Sequence, residues 1–381
     1  MSIQRRFVSA WYLPVLAFAL LIALLDGNQS SAIGPCCLMK QPTFRAEMVT
    51  ADVVVLAKLQ FTVPPDLKTG IDHAQFEIVD VLKGEKRGLV GGQMVVPHYG
   101  GGKPGDIFLL TKAGPPTPEW SMPDFVTPRT QDYLRKLAEL PDDPTKRFLF
   151  YHSHFEDQDA MIARDAAEEY DETPYAELKT FQPHLNREQL LAWLGNPEIR
   201  VSHKRLYYKL LGLCGKAQDA AGLEVLIKSA DKKSRPALDQ LLACYITMKG
   251  ELGLALVEDL YLKNKQADYA DTYSAIVACR FHLHEVKVLP RDRLISALKQ
   301  MLQRPELADL VIPDLARFED WSIADQLFEM FKTADTKTSW VRIPVINYLR
   351  KCPLPRAKEM LAECKRLDVK AFERAETFFP E

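Results

Sequence analysis

Arg235-Pro236-Ala237-Leu238 has three counterparts further along the chain: Tyr273-Ser274-Ala275-Ile276, Ile312-Pro313-Asp314-Leu315 and Ile343-Pro344-Val345-Ile346. Each places a small or kinking residue two positions before an aliphatic one. Their second residues are separated by 38, 39 and 31 positions. A spacing of about 30 to 45 residues leaves room for two helices per unit and predicts a stacked helical array.

The flanking sequence agrees. Ala163, Ala166, Ala167 and Tyr170 fall at i, i+3, i+4 and i+7, as do Leu223, Leu226, Ile227 and Ala230. The same spacing joins Leu238, Leu241, Leu242 and Tyr245, and again Leu294, Ala297, Leu298 and Met301. Such stripes are the apolar faces of helices. Breaks at Gly215, at Gly250, at Asp231-Lys232-Lys233 and at Asn264-Lys265 are short, which makes successive helices antiparallel neighbours. Asn186, three residues ahead of Gln189, reads as a helix cap. Pro313 and Pro344 are expected inside helices, where they would kink them. The segments "DAMIARDAAEEY" (159–170) and "RLYYKLLGLCG" (205–215) resemble HEAT or armadillo repeats. The resemblance covers residues 128–367 and implies a HEAT-like α-solenoid there, with 368–381 as a C-terminal tail.

Upstream the pattern changes. Residues 51–57 (ADVVVLA) form a β-branched run of strand length, and 74–82 (AQFEIVDVL) alternate apolar and polar as a half-buried strand does. Residues 93–96 and 106–110 complete at least four strands joined by Gly-rich loops. That predicts a small β-domain over 36–113, a barrel or sandwich. "ADVVVLAKL", the Val81-Leu82-Lys83-Gly84 end of the second strand and "GDIFLL" resemble bacterial domains related to the TIMP/netrin-like OB barrel. The resemblance implies an OB-like barrel, and in the inhibitors of that family an exposed N-terminal Cys binds the target's zinc. Here that role would require Cys36 to be the first residue of the mature chain. Residues 114–127, with four prolines, Trp120 and Phe125, read as a semi-rigid linker.

The chain has 381 residues and a formal net charge of −2. That balance excludes a strongly basic nucleic-acid binder or an electrostatic membrane binder. Residues 1–32 read as an export signal or retained membrane anchor. Arg5 and Arg6 precede an apolar run over 7–25 broken by Ser9, and Ser30-Ser31-Ala32 offers a cleavage site. The expected location is therefore outside the cytoplasm, with membrane contact only through the N-terminal segment. Of seven cysteines, Cys36 and Cys37 are adjacent. Cys214 and Cys244 lie among Leu and Tyr as small core residues would.

Chemistry is sparse in this reading. His152-Ser153-His154 and His282-Leu283-His284 are the candidate metal ligands, but residues two apart on a helix diverge by about 200°. Asp165, Glu168, Glu169, Asp171 and Glu172 are expected on a solvated helix face. The Gly-rich loop 99–105 has Pro104 after Lys103, where a phosphate loop needs Ser or Thr. Lys228, Lys232, Lys233 and Arg235 form a modest basic cluster, too weak to predict nucleic-acid binding. The expectation is a multi-domain α+β protein: a β-barrel followed by a HEAT-like solenoid, non-enzymatic, without cofactor or metal, binding an unidentified protein partner. Tyr208, Tyr261, Trp321 and Trp340 are the candidate partner-binding residues, since aromatic anchors dominate recognition. The alternatives are an envelope hydrolase or metal-dependent enzyme using His152, His154 or His284, and a protease inhibitor built on the β-domain.

Overall fold

The computed structural model of the chain describes residues 42–63, 72–85, 88–98, 100–114, 119–171 and 173–378. The expected signal or anchor, Cys36 and Cys37, three of the four linker prolines and Glu172 lie outside them.

Every predicted strand is present. β1 (Val53–Val63), β2 (His73–Lys83), β3 (Gln93–Pro97), β4 (Ile107–Lys112) and the short β5 (Asp124–Phe125) form an antiparallel sheet in the order β3-β2-β1-β4-β5. The central strand β1 is buried from Val54 to Ala57 and at Leu59, where its apolar run lies, and is open toward Val63. Its pairing with β2 shifts register at three places, which bends the strand. Among the described residues β3 and β5 are edges and are not paired with each other. β5 belongs to the segment read as a linker. Trp120 bridges to Lys112, and Phe108 pairs with Phe125, so the described part of that segment extends the sheet.

Alternation along β1 splits the apolar residues between two cores. Val55, Ala57 and Leu59 join Phe76, Ile78 and Phe108 on one face. Val54 and Leu56 join Leu109 on the other, where they meet Phe44, Met48, Tyr133, Leu134 and Leu137. The second core runs from the sheet into the helices without a gap. From Thr43 onward, sheet and helices therefore make one compact unit.

The remaining chain is helical, so the protein is a mixed α+β fold with a helical C-terminal part. Starts follow the side chains that can satisfy free N–H groups. Thr127 caps Pro128–Ala138, Asp143 caps Pro144–His152, and Asn186 caps Arg187–Gly195 as expected. Gly215 and Gly250 end helices Val201–Cys214 and Leu238–Lys249. Alternate helices touch. Val201–Cys214 packs on Leu238–Lys249, which packs on Tyr269–Phe281; further on, Ile312–Arg317 packs on Arg342–Lys351, which packs on Val369–Phe378. The intervening helices cover this row, and Ala324–Thr333 packs on Pro355–Leu367.

Three expectations need correction. Pro313 and Pro344 stand in the first turns of helices Ile312–Arg317 and Arg342–Lys351, where an N–H has no intrahelical acceptor, so neither kinks a helix. The four phased tetrapeptides are not equivalent: Pro236, Pro313 and Pro344 mark helix starts, whereas Ser274 is mid-helix. Residues 369–378, read as a tail, form a helix with Ala371 and Ala375 buried.

Candidate interaction surface

Ion pairs join helices that are distant in the sequence. Arg205 pairs with Asp239, and Arg235 grips Asp271 with two bonds of 2.9 Å. Arg280 holds Asp314 at 2.7 and 2.9 Å, and Arg293 grips Glu258 at 2.7 and 2.8 Å. Bonds to neutral acceptors follow the same step: Tyr261 Oη donates to the Ile227 carbonyl at 2.8 Å, and the Arg304 guanidinium to Thr272 Oγ1 at 3.1 Å. Each joins residues 32 to 36 apart, one helical pair apart in the stack. Asp239, Glu258 and Asp314 are buried at these joints. The pairing neutralises the basic cluster seen in the sequence: Lys228 faces Glu224, Lys232 faces Asp268, and Arg235 is used at a joint.

Of the four candidate aromatics, the stack buries two. Tyr208 is 1% exposed and Tyr261 5%, so neither ring is available to a partner. Both sit on core-facing stripes, and bulk on such a stripe fills the gap between helices rather than projecting from it. Trp321 is half-buried with its ring edge-on to Tyr348 at 5.1 Å. Trp340 is 46% exposed, and its indole N–H donates to the Glu306 carbonyl.

An aromatic pair that the candidate set omits is on the surface. Tyr269 and Tyr273 are 57% and 41% exposed, and their rings lie parallel with centroids 6.0 Å apart. Arg280 lies over Tyr273 at 5.9 Å, its guanidinium held in place by Asp314 of the next helix. Positions 269, 273 and 280 share one face of the helix Tyr269–Phe281, which orders two tyrosines and an arginine in a strip. The signal was present in the sequence as Tyr at i and i+4, a spacing that places both rings on one stripe.

A second surface feature is a groove of about 400 Å³ between helix Arg291–Lys299 and the turn at Phe318–Asp320. Lys299 Nζ meets Asp320 at 2.7 Å, and Arg291 lies over the Phe318 ring at 5.2 Å. Burial opposes charge on Asp320, yet Lys299 and Ser322 hold its carboxyl below the usual carboxylate range.

The candidate histidines do not converge. His152 packs among Phe148, Phe155 and Trp193, and burial lowers its basicity. His154 Nδ1 is 2.7 Å from the Phe150 carbonyl. His282 is fully buried with Nε2 3.0 Å from the Ala243 carbonyl, while His284 turns outward against Phe318. Among the described residues no group of three or more His, Cys, Asp or Glu could hold a metal ion. The five described cysteines are free thiols. Cys244 and Cys279 are buried, and burial pushes the Cys279 thiol up to about 12. Among the described residues no helix is long and apolar enough to cross a membrane.

The expected solvated acidic face also needs correction. Asp165 is 1% exposed and accepts the Phe44 N–H and the Tyr133 O–H, both at 2.6 Å. A helix that carries a docking partner buries its polar residues there, and hydrogen bonds to both oxygens offset the desolvation.

Sheet and helices together define a mixed α+β protein with a helical C-terminal part. No family model, curated protein or solved structure matches the chain.

Proposed function

We propose that the protein is a non-enzymatic interaction protein, exported or held at a membrane by residues 7–25, whose helical array binds a protein partner. In this reading the alternate-helix contacts continue as a HEAT-like solenoid, and the curved sheet closes as an OB-like barrel. The observation that supports it best is the ordered strip of Tyr269, Tyr273 and Arg280. Tyrosine and arginine are the side chains that most often anchor protein interfaces, because a pre-ordered ring loses little entropy on binding. Trp340 is the remaining exposed member of the original set and would extend the same function.

The test is affinity capture from envelope fractions with wild-type chain and the Tyr269→Ala/Tyr273→Ala double variant, both checked for unchanged helicity. Loss of two anchors should weaken capture of one specific protein by about tenfold or more. Equal capture by both proteins overturns the assignment of the strip. Fractionation and sequencing of the mature N-terminus test the location, and a cytoplasmic, unprocessed chain rejects it.

A further inference from the structure

Two arginines converge on one acid beside the tyrosine strip. Arg280 Nε and Nη2 donate to Asp314 Oδ2 at 2.9 and 2.7 Å, and Arg317 Nη1 donates to Oδ1 of the same carboxylate at 3.3 Å. Arg280 also lies over the Tyr273 ring, and Tyr273 is stacked with Tyr269. Tyrosines, guanidiniums and carboxylate therefore form one connected cluster, drawn from helices Tyr269–Phe281 and Ile312–Arg317.

The charges of this cluster are sorted by depth. The Asp314 side chain is 2% exposed, that of Arg280 26% and that of Arg317 59%. One carboxylate neutralises only one of two guanidiniums, so the cluster carries a surplus positive charge on its solvent side. Arg317 bonds through Nη1, which leaves its Nε and Nη2 donors for another acceptor. Neighbouring acids are engaged elsewhere: Lys232 takes Asp268, Arg235 takes Asp271, and Glu319 lines the groove beside Arg291 and Lys299. Because Asp314 already fixes both arginines, they lose little further freedom when they meet a ligand.

We propose that the partner reaching this strip is an acidic protein segment, its carboxylates meeting Arg317 and Arg280 while an adjacent apolar side chain lies on the Tyr269–Tyr273 rings. This rests on the reading of the strip as a docking site and names the chemistry of what docks. Arginine clusters recognise acidic motifs through charge-assisted N–H···O bonds of fixed direction. A polynucleotide fits less well. Its backbone needs a track of cations, whereas this cluster has a surplus of one on a chain of net charge −2. A basic segment finds the cluster's carboxylate buried and already shared.

Fluorescence anisotropy with the full chain tests this. The probes are a short labelled peptide alternating Glu with Leu, its Gln-Leu and Lys-Leu counterparts, and a short oligothymidylate. The Glu peptide should bind at least about threefold tighter than the Gln peptide at low ionic strength, an advantage that fades as salt rises. Arg317→Glu should abolish that advantage; Arg317→Gln should reduce it and serves if the charge reversal folds poorly. Tyr269→Ala/Tyr273→Ala should weaken the Glu and Gln peptides alike. Equal affinity for the Glu and Gln peptides, a preference for the Lys peptide or oligothymidylate, or a Glu advantage undiminished in both Arg317 variants overturns the acidic partner. The docking reading survives that result if capture from envelope fractions still depends on the two tyrosines, and falls with it if capture does not.

Discussion

At the residue scale the helical stack depends on carboxylates buried at the joints between successive pairs. Asp314 is 1% exposed and accepts both Arg280 of the preceding row helix and Arg317 of its own. Burying a charge is costly, and the cost is offset only while its partners remain. Asp314→Ala would leave Arg280, a quarter exposed, with the Leu310 carbonyl as its acceptor. The expected loss is about 2 to 3 kcal/mol in urea denaturation, below the full value for a buried pair because water reaches the guanidinium. A loss under about 0.5 kcal/mol would show that solvent replaces the carboxylate. None of these joints was visible in composition. Asp314, between Pro313 and Leu315, shows no partner in its own stretch of sequence until the next helix is laid against it.

At the scale of elements, helix ends show where the chain departs from local preference. Helix Ile312–Arg317 closes with the Glu319 N–H on the Ala316 carbonyl and the Asp320 N–H on the Leu315 carbonyl. These are the two bonds of a Schellman motif, with Glu319 at φ 60 where glycine is preferred. The Glu319→Gly variant should raise stability by about 0.5 to 1 kcal/mol, measured as a shift in the urea midpoint at constant slope. A decrease would mean that the Glu319 side chain makes a contact worth more than its backbone strain. Sequence reading located the glycine-ended helices at Gly215 and Gly250 because glycine announces a cap. It could not find this one, since the motif is specified by backbone hydrogen bonds that Glu does not advertise. The same limit explains Pro313 and Pro344: proline says where an N–H is missing, but whether that position is the first turn or the middle depends on where the helix begins.

At the scale of the whole molecule, acid should weaken the parts of the fold that bury histidine. Burial holds His282 below its ordinary value of 6.5 despite its bond to the Ala243 carbonyl, and burial lowers His152 as well. An unfolded histidine then takes up a proton that the folded one refuses, so this stability is full above about pH 6.5 and is lost as pH falls below it. Lowering pH from 7.5 to 5.5 should therefore quicken hydrogen exchange in helix Tyr269–Phe281, which leads into His282. His282→Asn should flatten this response, and an unchanged response in that variant would assign the titration to another group.

Periodicity alone located the four strands between Val53 and Lys112 and determined that nearly everything described after Pro128 is helical, because alternation at 2 and at 3.6 is written in neighbouring residues. The caps at Asn186, Gly215 and Gly250 were equally local. Tertiary structure decided which stripes became core, and so removed Tyr208 and Tyr261 from the surface while leaving Tyr269 and Tyr273 on it. It also turned Asp165 from a solvated acid into a buried acceptor. Exposure is a property of what packs against a helix, and contacts across 30 or 120 residues leave no mark on the sequence near either partner.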